Sequence, residues 1–121
     1  MKIVVFLLLG VTCAWANFTE LVKQGDAYDG QFKPDAALQF YLPAEKLEPD
    51  DPGLLVKIAR QYVYRMSELP AKADQLAAGR TALTYAERAV KLAPDECDSH
   101  LALAICLGKL TPLLGNKENV E

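Results

Sequence analysis

Two stretches of the chain read alike: ALQFYLPAEKLEP at residues 37–49 and ALTYAERAVKLAP at residues 82–94. Each begins with an alanine, has a second alanine seven positions later, and ends on a proline. Residues seven apart lie on the same face of an α-helix, and small side chains there let another helix approach closely. Proline ends a helix because it has no N–H to donate. The two stretches therefore predict two equivalent helices, each in the same position of a repeated unit.

A further helix is expected before the first stretch. With Gly25 placed at position 8 of a unit of about 34 residues, large and small residues fall where a tetratricopeptide repeat (TPR) has them. The matching residues are Leu21, Gly25, Tyr28, Ala37, Tyr41, Ala44 and Pro49. Gln24 is the departure, because a leucine is usual there. The segment resembles a TPR unit, which is a pair of antiparallel helices.

The same spacing places two more units. Position 8 falls on Ala59 and on Ala104, each ten residues after the proline of the preceding stretch. Packing residues are then expected at Leu55, Ile58, Tyr62, His100, Leu103 and Leu107. The second unit is longer than usual, which predicts two long helices hinged at Pro70. We predict an all-α, TPR-like hairpin repeat with helices near 18–31, 35–47, 53–68, 72–93 and 97–110, and a kink at Pro43.

The lengthened second unit and three short motifs indicate one particular branch of TPR-like proteins. Residues 85–94 (YAERAVKLAP), His100-x3-Ala104-Ile105-Cys106-Leu107 and Gly25-Asp26-x-Tyr28-Asp29 are similar to the regulator of microtubule dynamics family, whose members have TPR-like helical domains. Chains of that family usually continue past the equivalent of Glu118 into another helix, so this sequence resembles a shortened member. The family's name is not carried over as a function, because an exported chain would not meet a microtubule.

The first sixteen residues predict a signal peptide. Lys2 is followed by an apolar run at residues 3–11, and Ala14-Trp15-Ala16 has the small-x-small pattern of a cleavage site. The apolar stretch is shorter than the roughly 20 residues that span a bilayer. An uncleaved anchor and a lipidated Cys13 are the weaker alternatives. We expect cleavage after Ala16, a periplasmic or secreted protein, a helical domain at residues 17–110 and a tail at residues 111–121.

Composition argues against several function classes. The net charge is −3 and the basic residues are scattered, which disfavours a nucleic-acid partner. His100 is the only histidine, and the acidic residues near it suit a helix N-terminus better than a metal. No phosphate loop or nucleophile motif is present, so we expect no enzyme, no metal and no cofactor. Cys97 and Cys106 lie too far apart on one helix for a disulfide, and both are expected to be buried.

The TPR resemblance implies a groove lined by the first helix of each unit. The implied residues are Val22, Asp26, Asp29, Gly30, Val56, Arg60, Val63, Tyr64, Leu101, Ile105, Gly108 and Lys109. The polar candidates for binding are Asp26, Asp29, Arg60 and Tyr64, with an ordinary solvated face as the alternative. The Lys/Asn/Arg clamp that holds a peptide carboxylate in some TPR domains is absent from these positions.

Two main hypotheses of function follow, beside a minor third of thiol or metal chemistry at Cys97 and His100. The first is an exported, non-catalytic scaffold that binds a protein or peptide in the groove. The second is a truncated structural fragment that self-associates, because Leu101, Leu103, Ile105, Leu107 and Leu110 leave the last helix apolar on several sides.

Overall fold

The computed structural model describes residues 17–115, which form helices joined by short connections. Helix α1 covers residues 17–29, and the other helices are α2 (Pro34–Leu47), α3 (Pro52–Glu68), α4 (Lys72–Leu92) and α5 (Cys97–Leu110), followed by a 3₁₀ turn (Thr111–Leu113). No strand occurs within these residues. The predicted all-α hairpin repeat is confirmed. The predicted signal peptide at residues 1–16, with Cys13, and residues 116–121 lie outside the described residues.

Proline and aspartate set the helix boundaries. Pro34 and Pro52 each stand in the first turn of a helix, where a missing N–H costs no hydrogen bond. The Asp51 carboxylate accepts a 2.9 Å hydrogen bond from the Leu54 N–H and so caps α3. The predicted hinge at Pro70 separates α3 from α4. Helix α2, by contrast, is assigned without a break through Pro43, whose side chain is exposed.

The helices pack in chain order as antiparallel neighbours. Helix α3 contacts α2, α4 and α5, so it is the central element. The predicted close-packing faces are confirmed in α2, α3 and α4, where the small residues that the repeat spacing selects are fully buried: Ala37, Ala44, Ala59, Ala82, Ala86 and Ala89. Alanines at these contacts bring the helix axes together and leave the larger side chains to fill the edges of each interface.

Three helices meet at Gly79 in α4. A Cβ there would lie 2.5 Å from Leu110 Cδ2 and 2.9 Å from Met66 Cε, so only glycine fits without rearrangement. Leu113, in the 3₁₀ turn, packs against the buried cluster of Met66, Ala78 and Leu110 at this place. The chain thus stays in contact with the core for three residues beyond α5, within the segment expected to form the tail.

The expected packing of the third unit is partly wrong. His100, Ala104 and Leu107 are exposed, and the buried face of α5 carries Ser99 and Cys106. The equivalent positions of α3 are covered by α4, the next helix of the same hairpin. No helix follows α5 within residues 17–115, so this face stays open. His100 instead places Nε2 2.6 Å from the Pro94 carbonyl oxygen, which ties the start of α5 to the preceding loop.

Candidate functional site

A groove of about 370 Å³ lies between α3 and α5. These two helices both pack antiparallel to α4 and so run in the same direction. Side chains three, four and seven apart share a helix face, which aligns one row from each helix along the groove. The apolar lining comes from Val56, Ala59, Val63, Leu101, Ala102, Ile105 and Cys106, and the polar lining from Lys57, Arg60, Tyr64 and Asp98.

Helix α1 contributes two carboxylates beside this groove. Lys57 Nζ lies 2.8 Å from both carboxylate oxygens of Asp26, and the Arg60 guanidinium pairs with Asp29. The spacing of three residues on each helix matches, so two ion pairs join α1 to α3 side by side. The Tyr41 hydroxyl of α2 donates a 2.6 Å hydrogen bond to Asp26 as well. Lys57 and Arg60, the two cations that line the groove, are therefore both paired with carboxylates of α1.

The electrostatics keep these pairs ionised. Burial alone would raise the pKa of Asp26, but hydrogen bonds from Lys57 and Tyr41 outweigh it, and the pKa lies below its ordinary value. Burial alone would lower the pKa of Arg60, and the hydrogen bond and charge of Asp29 outweigh that effect and raise it. Burial, together with the hydrogen bond to Asp26, raises the pKa of Tyr41. The phenol is thus a neutral donor to a carboxylate anion at neutral pH.

An aromatic pair stands beside Tyr64. The rings of Tyr64 and Phe32 meet edge to face with centroids 5.5 Å apart. Phe32 has a positive φ of 56° and is 67% exposed. A bulky residue rarely adopts this left-handed conformation. Repeat spacing did not predict Phe32 at this place, since it lies in the α1–α2 connection and outside the repeat positions.

The four polar candidates from the sequence therefore take different places. Arg60 and Tyr64 line the groove, whereas Asp26 and Asp29 lie outside the lining and pair with Lys57 and Arg60. Among the other implied residues, Val56, Val63, Leu101 and Ile105 line the groove. Val22 instead packs on the core between α1 and α2, and the lining does not include Gly108 or Lys109. Sequence reasoning missed Lys57 and Asp98 as lining residues.

A second polar cluster joins α2 to α4. Glu45 accepts a 2.9 Å hydrogen bond from the Tyr85 hydroxyl and another of 2.9 Å from Arg88. Arg88 also donates to the Pro49 carbonyl oxygen at 2.9 Å. Burial and the bond to Glu45 raise the pKa of Tyr85. These contacts fix the first hairpin against the second and lie away from the groove.

The remaining reactive groups are the cysteines. Both Cys97 and Cys106 are free thiols; Cys106 is buried and Cys97 is exposed, so the predicted burial of Cys97 is wrong. Cys97 is the first residue of α5, where the chain has just left the loop at Pro94. Within residues 17–115, no three His, Cys, Asp or Glu side chains converge as a metal site, and no helix is both long and apolar enough to cross a membrane.

Comparison with known families decides the relationship. The family model described as regulator of microtubule dynamics protein 1-3 matches residues 21–121. The chain belongs to this family. The match includes all the residues that line the groove and the whole lengthened second unit, so the sequence resemblance to this branch is confirmed. No curated protein and no solved structure matches this member of the regulator of microtubule dynamics family.

Proposed function

We propose that this chain is an exported, non-catalytic scaffold of the TPR type that binds a protein or peptide segment in the groove between α3 and α5. The observation that carries the proposal is the exposed apolar surface inside the groove. Leu101 is 59% exposed and Ile105 is 44% exposed. Burying such side chains on binding releases roughly 25 cal/mol per Å² of apolar surface, which a matching apolar side chain would supply.

The groove suits binding better than catalysis. Its two cations are already paired with carboxylates of α1. Its one thiol, Cys106, is 1% exposed, and burial raises the pKa of that thiol to about 11. A nucleophile or general base needs a free group with a pKa near the working pH. The lining instead offers apolar contact and one free carboxylate, as a recognition surface does.

The export part of the proposal comes from the signal-peptide pattern at residues 1–16. The test is intact mass of the protein recovered from the envelope and medium of its own cells. We expect a chain that begins at Asn17. Recovery of an uncleaved chain from the cytosol would contradict export and would reopen the cytoskeletal association that the family's name suggests.

The groove is tested with a matched pair of substitutions on α5. Ile105 and Leu107 are 44% and 47% exposed, but only Ile105 lines the groove. Peptides selected from a random phage-displayed library on the purified protein should lose at least about tenfold in affinity with Ile105→Ser, since a buried apolar anchor is worth about 1.5–3 kcal/mol. Leu107→Ser should bind them normally. Equal losses in both variants, or in neither, would place binding elsewhere.

Self-association is the second candidate. Leu107 and Ala104 are exposed on the face of α5 that no helix covers within residues 17–115. End units of helical arrays need a polar outer face to stay soluble alone. Sedimentation velocity over a hundredfold concentration range tests the idea. A dimer that Ala104→Lys converts to monomer would support it, and a monomer at every concentration would remove it.

A further inference from the structure

We propose that the α3–α5 groove selects an apolar segment that carries lysine or arginine beside its anchor, and that Asp98 receives this cation. This rests on the proposed function, because it names the chemistry of the segment that the same groove takes. The inference comes from the way charge is distributed around an apolar lining.

The groove offers no free cation among its described lining residues. Lys57 is held by both oxygens of Asp26 at 2.8 Å, and Arg60 is paired with Asp29. An incoming carboxylate would have to compete with Asp26 and Asp29, and Tyr41 holds Asp26 in place. Displacing Asp26 or Asp29 exchanges one partly exposed ion pair for another, so an incoming carboxylate gains no net pair. Acidic segments and free C-terminal carboxylates are therefore disfavoured.

Asp98 is the opposite case. It lines the groove from the first turn of α5, it is exposed, and none of the ion pairs within residues 17–115 includes it. Leu101 and Ala102 follow it by three and four residues, so the carboxylate and the apolar anchors share one helix face. A segment that fills the apolar lining thus brings its neighbouring side chain close to an unpaired negative charge.

The same end of the groove carries further negative charge. The loops before α3 and α5 lie together, since both helices run antiparallel to α4. These loops contain Asp50, Asp51, Asp95 and Glu96, all without an ion pair in the described residues, and the basic residues in the adjoining last turns are Lys46 and Lys91. The excess of carboxylates attracts a cationic segment and speeds its encounter with the groove.

The experiment uses three fluorescein-labelled peptides with one apolar core, in which Leu and Ile stand four residues apart. The core is flanked by Lys, by Gln or by Glu, and binding to the purified protein is measured by fluorescence anisotropy. We expect the Lys peptide to bind about three- to tenfold more tightly than the Gln peptide, and the Glu peptide to be weakest. Raising NaCl from about 0.05 M to about 0.5 M should shrink these differences.

Two carboxylate variants locate the charge. Asp98→Asn should remove most of the advantage of the Lys peptide over the Gln peptide and leave the Gln peptide unchanged, because the loop carboxylates supply only the remainder. Asp74→Asn is the matched control, because Asp74 is an exposed carboxylate in the first turn of α4 and has no part in the groove lining. It removes the same charge and should leave the preference for Lys intact.

The outcomes separate the two proposals. Equal affinity for Lys and Gln peptides, or a preference for Lys that Asp98→Asn leaves undiminished, overturns the charge inference. The groove itself would still stand if Ile105→Ser weakened all three peptides and Leu107→Ser did not. Tightest binding of the Glu peptide overturns the inference too, because it would mean that Lys57 and Arg60 release their partners. Failure of all three peptides to bind contradicts the groove and the inference together.

Discussion

The backbone of Gly25 in α1 lies directly against the ring of Tyr41 in α2. A Cβ on Gly25 would lie 2.5 Å from Tyr41 Cδ1 and 2.9 Å from Cζ, well inside van der Waals contact. Tyr41 is fully buried and its hydroxyl is bonded to Asp26, so the ring has no space into which it can move. The first hairpin closes on this contact.

Gly25→Ala should therefore destabilise the protein, although alanine is the better helix former. We expect the free energy of unfolding in urea to fall by about 1–3 kcal/mol, the usual cost of overpacking. Gly108→Ala is the control, because a Cβ there meets nothing within 4 Å. It should raise stability by about 0.5–1 kcal/mol through helix propensity. Similar effects of the two substitutions would contradict the close contact.

Gln61→Met should stabilise the protein. Gln61 is fully buried in α3, and its Oε1 has no hydrogen-bond partner in the described structure, while its Nε2 makes only a 3.3 Å contact with the Lys57 carbonyl oxygen. An unpaired buried acceptor costs about 1–3 kcal/mol, and methionine fills a similar volume without it. We expect a gain of about 1 kcal/mol in urea unfolding. Gln39→Met, at an exposed site, should gain nothing; a loss at Gln61 would show that the amide is satisfied.

Repeat spacing predicted the helices because small residues recur at the positions where one helix packs against the next. Ala37, Ala82 and Ala86 are small because a neighbouring helix packs closely against them. Their spacing therefore predicts both that the segment is helical and which of its faces is buried. The error at Ala104 and Leu107 has the same origin. The repeat spacing predicts that these residues face the second helix of a hairpin. No such helix follows α5 within residues 17–115, and there they face solvent.

The site was less predictable than the fold. Position in the repeat placed Val56, Leu101 and Ile105 in the groove, since facing direction follows from helical geometry. Whether Arg60 would be free or paired depended on α1, whose Asp29 reaches it from a distant part of the sequence. A repeat position predicts which way a side chain points, whereas ion pairing also depends on the distance between two helices in the folded protein.

The two cysteines should differ sharply in reactivity. At pH 8 a thiol with a pKa of about 11 is thiolate in about one molecule in a thousand, and Cys106 is also 1% exposed. Cys97 is exposed. N-Ethylmaleimide labelling followed by peptide mapping should modify Cys97 at least about a hundredfold faster than Cys106. Labelling of Cys106 should accelerate in the Gly25→Ala variant if it requires unfolding. Comparable rates in the native protein would contradict the burial of Cys106.

Asp26 should contribute stability that depends on pH. Its pKa in the folded protein lies below its ordinary value, despite the opposing effect of burial, because Lys57 and Tyr41 bond to the carboxylate. A lowered folded-state pKa means that the contribution is complete above the unfolded pKa of about 3.9 and disappears as the pH falls through the folded value. Asp26→Asn should thus lower the free energy of unfolding at pH 7, by on the order of 0.5 kcal/mol since the pair is partly exposed.

Urea unfolding at pH 7, 5 and 3 measures this difference. It should be constant from pH 7 to 5 and should close as the pH falls below about 3.9. Adding Lys57→Gln to both proteins tests the cause, because the effect of Asp26→Asn should then shrink if the ion pair supplies it. A difference that persists unchanged at pH 3 would mean that Asp26 acts through its shape and not through its charge.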